Sequence, residues 1–313
     1  MSPIRKLTED RIKAVLKEIE GLVTEISDPR FSGIDRSSTE DILHTINRED
    51  ATVAGAVKRE IPYIAKAVDL INENISNGGR IFYFGAGTSG RLGILDAAEC
   101  PPTFGTDPSL IKGIIAGGEQ TVFLSAEGAE DDVSKIPMEF DKYDIKAPDT
   151  IVAISASRRT PFATESLTEG KKRGCSTVFI TCNPREEVDI EVDAAICVVV
   201  GPEVVAGSTR MKAALAQKMI LTMLSTTIMV KRGKLYKNLM VDLLDRSEKL
   251  SARSIKIVMT VVDCDYEKAV DLLKGAEGKV KHAIIMGKLS VSSTIATKLL
   301  KESKGFLYKV LGE

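Results

Sequence analysis

Between residues 80 and 200, short and nearly continuous apolar runs alternate with stretches of helical spacing. The runs are 80–84, 110–116, 150–155, 177–181 and 194–200. The segments between them are 89–99, 121–128, 161–173 and 185–190, the last barely helical. Strands that are apolar on both faces and separated by helices belong to a parallel sheet covered on both sides, an α/β architecture.

Helical patterns flank this region. Residues 7–27 place Ile12, Val15, Leu16, Ile19, Leu22 and Val23 on one face, and Asp28-Pro29 breaks the pattern. A second helical region, 38–77, opens on capping residues Ser38-Thr39-Glu40-Asp41 and stops at Gly78-Gly79. After the last strand a long helix is expected over 208–232. The tail 247–313 shows three helical patterns punctuated by Gly275, Gly278 and Gly305. The reading is an N-terminal helical segment 1–60, an α/β domain 61–246 and a C-terminal helical module 247–313.

Charge and composition exclude several functions. Lys plus Arg number 43 against 44 Asp plus Glu, aromatics make up 5% and Trp is absent. Neither a broad basic nucleic-acid surface nor a base-stacking platform is expected. The five cysteines form no C-x-x-C and their odd number fits reduced thiols; with His44 and His282 as the only histidines, no metal site is expected. The start, with Arg5 and Lys6, lacks an apolar stretch after it, and the apolar segment 219–230 is too short for a bilayer. The expectation is a soluble, cytoplasmic protein with no membrane and no nucleic-acid partner.

Two strand-to-helix junctions carry the chemistry. The first reads Gly85-Ala86-Gly87-Thr88-Ser89-Gly90. Such a loop suits a dinucleotide, a phosphomonoester or simply a tight turn. The dinucleotide reading also wants an acidic residue at the end of the second strand, and Ile115-Ala116-Gly117-Gly118 before Glu119 fits poorly. Thr88 and Ser89 add hydroxyls beside backbone N–H groups at a helix start, which favours a phosphomonoester. The second junction, Ser155-Ala156-Ser157-Arg158-Arg159-Thr160, is again rich in hydroxyls. Alone it is as readily a helix cap. Two such loops at carboxyl ends of parallel strands converge on one crevice.

Several blocks then carry a family likeness: GAGTSGRLGILDAAECPPTFG from Gly85, EGAEDD from Glu127, Thr181-Cys182-Asn183-Pro184, GPEVVAGSTRMK from Gly201, and Asn238-Leu239-Met240-Val241-Asp242. In this order and spacing the chain resembles the N-acetylmuramic acid 6-phosphate etherases of the sugar-isomerase (SIS) superfamily, and more distantly the glucokinase regulatory proteins. The likeness covers roughly residues 35–250 and continues more weakly beyond. It implies a three-layer α/β/α SIS domain around a parallel sheet, a homodimer with the site near the subunit interface, and no metal or cofactor. It also implies conversion of N-acetylmuramate 6-phosphate and water to N-acetylglucosamine 6-phosphate and D-lactate. A non-catalytic sugar-phosphate sensor and a phosphosugar isomerase are the rival readings.

Opening the sugar ring makes the C2 proton acidic, so one base and one acid suffice to expel lactate from C3 before water adds across C2–C3. By resemblance, Glu130 is the base and Glu99 the acid, the latter needing partial burial to hold its proton. Glu127 is expected to hold a hydroxyl. Gly87, Thr88, Ser89, Ser155, Ser157 and Thr160 are expected to grip phosphate or nearby hydroxyls. Ser208, Thr209, Arg210 and Lys212 are expected to open the long helix, whose positive end suits phosphate or the lactyl carboxylate. A continuous helix from Ser89 carries Glu99 roughly 14 Å away at 1.5 Å per residue. Either that helix ends early at Cys100-Pro101-Pro102, or Glu99 serves the partner subunit's site. Three positions depart from the family pattern: Arg158 and Lys237 stand where glycine is usual, and Ala214-Leu215 replaces Gly-Thr. Arg158 either contacts phosphate, narrows the pocket or points into solvent.

Overall fold

The computed structural model describes residues 8–243 and 247–313. Leu7, the basic start with Arg5 and Lys6, and residues 244–246 at the expected last boundary lie outside them. The chain divides into two compact units: the described residues up to Leu95 with Lys112–Met223, and Asp96–Ile111 with Leu224–Glu313.

The first unit is built on the expected parallel sheet. Its strands are β1 (Ile81–Gly85), β2 (Ile111–Ile115), β3 (Thr150–Ser155), β4 (Ser176–Thr181) and β5 (Ala194–Cys197), in the order β2-β1-β3-β4-β5. β1, β3 and β4 are in parallel register, with Phe82 beside Ile151 and Ile151 beside Thr177. Side chains alternate between faces. Phe82, Phe84, Ile151, Ala153 and Phe179 share a core with Phe140, Phe162 and Leu167, residues of α6 (Ile136–Lys142) and α7 (Pro161–Lys172). Tyr83 and Ile154 point to the other face, against Gly93 of α5 (Gly87–Phe104). Helices therefore cover both faces, and the three-layer expectation holds.

The helical region 38–77 comprises α2 (Thr39–Asp50), α3 (Val53–Arg59) and α4 (Ile61–Ser76), with Ser38 capping α2 at the N–H of Asp41. It follows α1 (Glu9–Glu20) and a turn capped by Asp28.

Two expected helices change. Residues 121–128 do not form an α-helix: only a short 3-10 turn, Glu119–Val122, reaches into them, and Gly117 (φ +83°), Gly118 (φ +84°) and Gly128 (φ +76°) take left-handed backbone on either side. The crossover helix is instead α6. The long helix α8 (Lys212–Lys231) also starts later than expected, because Ser208–Met211 form turns. At 20 residues, α8 is long and apolar enough to cross a bilayer, longer than the segment 219–230 read from the sequence; more than half of its apolar stretch is buried inside the protein, as in a core helix.

The second unit contains a short hairpin, β6 (Leu235–Tyr236) and β7 (Leu239–Met240), and five helices after residue 247 where three were expected. They are α9 (Glu248–Val262), α10 (Tyr266–Gly275), α11 (Val280–Leu289), α12 (Ser293–Glu302) and α13 (Leu307–Leu311). The additional breaks fall at Asp263 (φ +61°) and Ser290 (φ +52°), left-handed helix ends without glycine.

Candidate active site

Strand order reverses between β1 and β3, and ligands of open α/β sheets bind outside the carboxyl ends of strands at such a switch point. The two hydroxyl loops follow those two strands.

In the first loop, Gly87 has φ +51°. A Cβ on Gly85 would lie 2.8 Å from the Gly90 nitrogen, and one on Gly90 would lie 2.6 Å from the Gly85 carbonyl oxygen. Only glycine allows that close turn, which opens α5, a helix start whose first N–H groups have no partner within the helix. The Ser89 hydroxyl donates to Gln217 Oε1 at 2.9 Å. Gln217 is buried on α8, and its Nε2 has no partner among the described residues.

The second loop is held by its own atoms. Ser155 and Thr160 are buried and joined through their hydroxyls at 2.9 Å. Ser157 accepts from the Arg159 N–H at 3.2 Å. The Ala156 carbonyl receives the Cys182 N–H at 3.0 Å and Asn183 Nδ2 at 2.8 Å, tying the loop to the end of β4. Arg158 occupies left-handed backbone at φ +57°. Its side chain is half-buried: Nη1 donates to the Glu187 carbonyl, Nε lies 3.6 Å from Glu187 Oε2, and Nη1 lies 4.0 Å from Asp189 Oδ1. The guanidinium is thus engaged by the β4–β5 connection, not left to solvent.

Beside the first loop lies a cavity of about 160 Å³ lined by Gly87, Arg91, Thr121, Glu127 and Glu130, with small residues between them. From the segment expected to be helical, Thr121 and residues 125–128 line it. Glu130 keeps solvent access over the side chain as a whole. Even so, burial of its carboxyl raises its pKa above the ordinary glutamate value; Asp131 adds to the rise, Arg159 opposes it and Glu127 adds further.

Glu99 has a different setting. α5 runs unbroken through Pro101 and Pro102 to Phe104, so an early end is ruled out. Glu99 therefore stands ten residues beyond Ser89, about 15 Å along the helix. It is exposed, so the chain's own residues do not supply the burial expected of an acid. Next to it the Cys100 thiol is buried, and burial is the main cause pushing its pKa up to about 12.

Of the residues expected to open α8, none lines the cavity. Ser208, Thr209 and Arg210 sit in the turns before the helix, with Arg210 exposed. Lys212 is buried, its Nζ 3.0 Å from Glu49 Oε2. The positive end of α8 is taken by an internal carboxylate: Glu203 accepts the N–H groups of Lys212 and Ala213, each at 2.9 Å. Glu203 stands nine residues before Lys212, beyond the reach of local capping rules.

Sequence reasoning missed Arg91, Gln217 and Glu203. Arg91 lies in the block quoted from Gly85 and Glu203 in the block quoted from Gly201, where the family likeness offered a signal; nothing local marks Gln217.

Comparison with known proteins identifies the family. Residues 63–170 match the family model described as the glucokinase regulatory protein N-terminal SIS domain. The chain is 46% identical over 295 residues to the N-acetylmuramic acid 6-phosphate etherase of Salinibacter ruber, covering 94% of this chain and 95% of that one. It is 44% identical over 293 residues to the enzyme of that name from Clostridium acetobutylicum, covering 94% and 97%. A solved phosphoheptose isomerase from Neisseria gonorrhoeae matches at a TM-score of 0.45 and 16% identity, over 61% of this chain and 98% of that one. The chain belongs to the N-acetylmuramic acid 6-phosphate etherase family.

Proposed function

We infer that this protein cleaves the lactyl ether of N-acetylmuramate 6-phosphate, releasing D-lactate and N-acetylglucosamine 6-phosphate. The observation that carries the reading is Glu130, a carboxylate with a raised pKa in a cavity that includes the first glycine loop. A base whose pKa moves toward neutral removes an acidified C–H more effectively than an ordinary carboxylate. Glu130 takes the C2 proton of the open-chain sugar. The C3–O bond then breaks, and lactate leaves as its ether oxygen receives a proton from Glu99. Water adds back across C2–C3, its oxygen to C3 and a proton to C2.

The phosphate rests between the two loops. The N–H groups opening α5 and the Ser157 hydroxyl offer donors, as does Ser89 once its hydroxyl turns from Gln217 Oε1, while Ser155 and Thr160 hold the second loop in shape. Glu127 faces a sugar hydroxyl. Ser208, Thr209 and Arg210 belong to the periphery of this site, and Lys212 supports it from the buried pair with Glu49. Because Glu99 lies far along α5 and is exposed, we assign it to the site of a partner subunit in a homodimer, whose interface supplies the burial the acid needs. Reduced cysteines suit a cytoplasmic setting.

A sugar-phosphate sensor is the second reading, favoured by the match to the regulatory-protein model. Incubation with N-acetylmuramate 6-phosphate and mass spectrometry of the products separates the two. Stoichiometric lactate supports the etherase. Binding with no lactate supports the sensor, and a ketose phosphate supports an isomerase.

A further inference from the structure

Arg91 is the one cation among the described residues lining the cavity, which also holds Glu127 and Glu130. Its Nε donates to the Val122 carbonyl at 2.8 Å and its Nη2 to the Thr121 carbonyl at 2.7 Å. These bonds fix the guanidinium plane against the cavity wall and use two of its five donors. Among the described residues no hydrogen bond engages Nη1.

The substrate inferred above carries two anions, the phosphate at C6 and the lactyl carboxylate at C3. C3 adjoins C2, whose proton Glu130 takes, so the lactyl carboxylate must lie within a few bonds of Glu130. There it meets Glu127 and Glu130, and like charges at short range are costly unless a cation intervenes. Arg159 also acts on Glu130, but it does not line the cavity. A guanidinium with a fixed plane and an unused N–H pair suits a carboxylate.

We propose that Arg91 is a specificity-determining residue that binds the lactyl carboxylate through Nη1, distinguishing the lactyl-bearing sugar phosphate from the same sugar without it. The proposal rests on the etherase reading. Arg91 transfers no proton; it holds the leaving group before and after the C3–O bond breaks.

The test compares wild type, Arg91→Gln and Arg91→Lys. It measures KM for N-acetylmuramate 6-phosphate and the inhibition constant of N-acetylglucosamine 6-phosphate, which lacks only the lactyl group. In Arg91→Gln the ratio of the two constants should rise about tenfold or more, the usual loss for a hydrogen bond to a charged group. Arg91→Lys, which keeps the charge, should recover part of that loss. Equal weakening of both sugars would mean that Arg91 only holds the 121–122 turn, and would overturn the proposal, as would no change in either. If wild type releases no lactate, the etherase reading falls by itself. The affinities of both sugars, measured by calorimetry on the same three proteins, then still decide whether Arg91 reads the carboxylate.

Discussion

Glu130 and Glu99 are the same side chain in opposite settings. Glu130 ends a glycine-broken loop whose left-handed turns at Gly117, Gly118 and Gly128 fold the chain into a cavity wall. There its carboxyl is partly dehydrated and its pKa is raised. Glu99 sits on a regular helix that carries it away from the glycine loop and leaves it in solvent. The irregular segment bends Glu130 into a pocket formed by its own chain, whereas α5 presents Glu99 on an exposed face. On the proposed reading, the difference assigns the base to one chain's own cavity and leaves the acid to be completed by a second subunit.

That contrast can be broken most severely at the carboxylates. Glu130→Gln and Glu99→Gln should each lower lactate release by about 10²–10⁴-fold, the usual worth of a general base or acid. Both variants should unfold at the wild-type temperature. Co-expressing them sharpens the contrast. If Glu99 acts across a two-fold dimer, half of the randomly assorted dimers carry one intact site, restoring about a quarter of wild-type activity. No recovery in demonstrably mixed dimers would place both carboxylates in one subunit's site.

A smaller effect is expected at the phosphate loops. Ser89→Ala and Ser157→Ala should each weaken 6-phosphosugar binding about tenfold, and unphosphorylated sugar should bind poorly to wild type. Equal calorimetric affinity for phosphorylated and unphosphorylated sugars would contradict the assignment of the loops.

The backbone of the second loop offers a subtler probe. Arg158→Gly and Arg158→Ala both lose the contacts to Glu187 and Asp189, but only glycine is at ease at φ +57°. Denaturant unfolding should find Arg158→Ala less stable than Arg158→Gly by roughly 1 kcal/mol. Equal stabilities would mean that the loop relaxes once the guanidinium is gone.

The smallest effect is on pH dependence. Glu130 works as a base only when ionised, and its pKa is raised, so the acidic limb of kcat/KM should lie above the ordinary glutamate range. Glu127→Gln removes a negative neighbour and should move that limb to lower pH. Arg159→Gln removes a positive neighbour and should move it to higher pH. Shifts of the opposite sign would dissociate the limb from Glu130.

The sheet was legible because strands buried on both faces are written as unbroken apolar runs, as at 150–155, where the expected and observed limits coincide. Residues 121–128 misled because apolar spacing says nothing about the left-handed glycines on either side. The start of α8 misled because Ser208-Thr209 resembles a local cap, whereas the carboxylate that caps the helix, Glu203, arrives from a distant turn. Arg158 was visible as an anomaly, but its partners come from the β4–β5 connection and no local pattern names them. Glu99 and Glu130 came from resemblance, since an isolated carboxylate carries no signal of its role; only folding shows that Glu130 lines a cavity and Glu99 does not.

The central claim is the division of labour between those two carboxylates. It is tested most directly by following C2–H exchange and lactate release together, by mass spectrometry in heavy water, for wild type, Glu99→Gln and Glu130→Gln. Glu99→Gln should still exchange the C2 proton while releasing almost no lactate, and Glu130→Gln should do neither. Exchange that survives in Glu130→Gln and vanishes in Glu99→Gln would reverse the two roles.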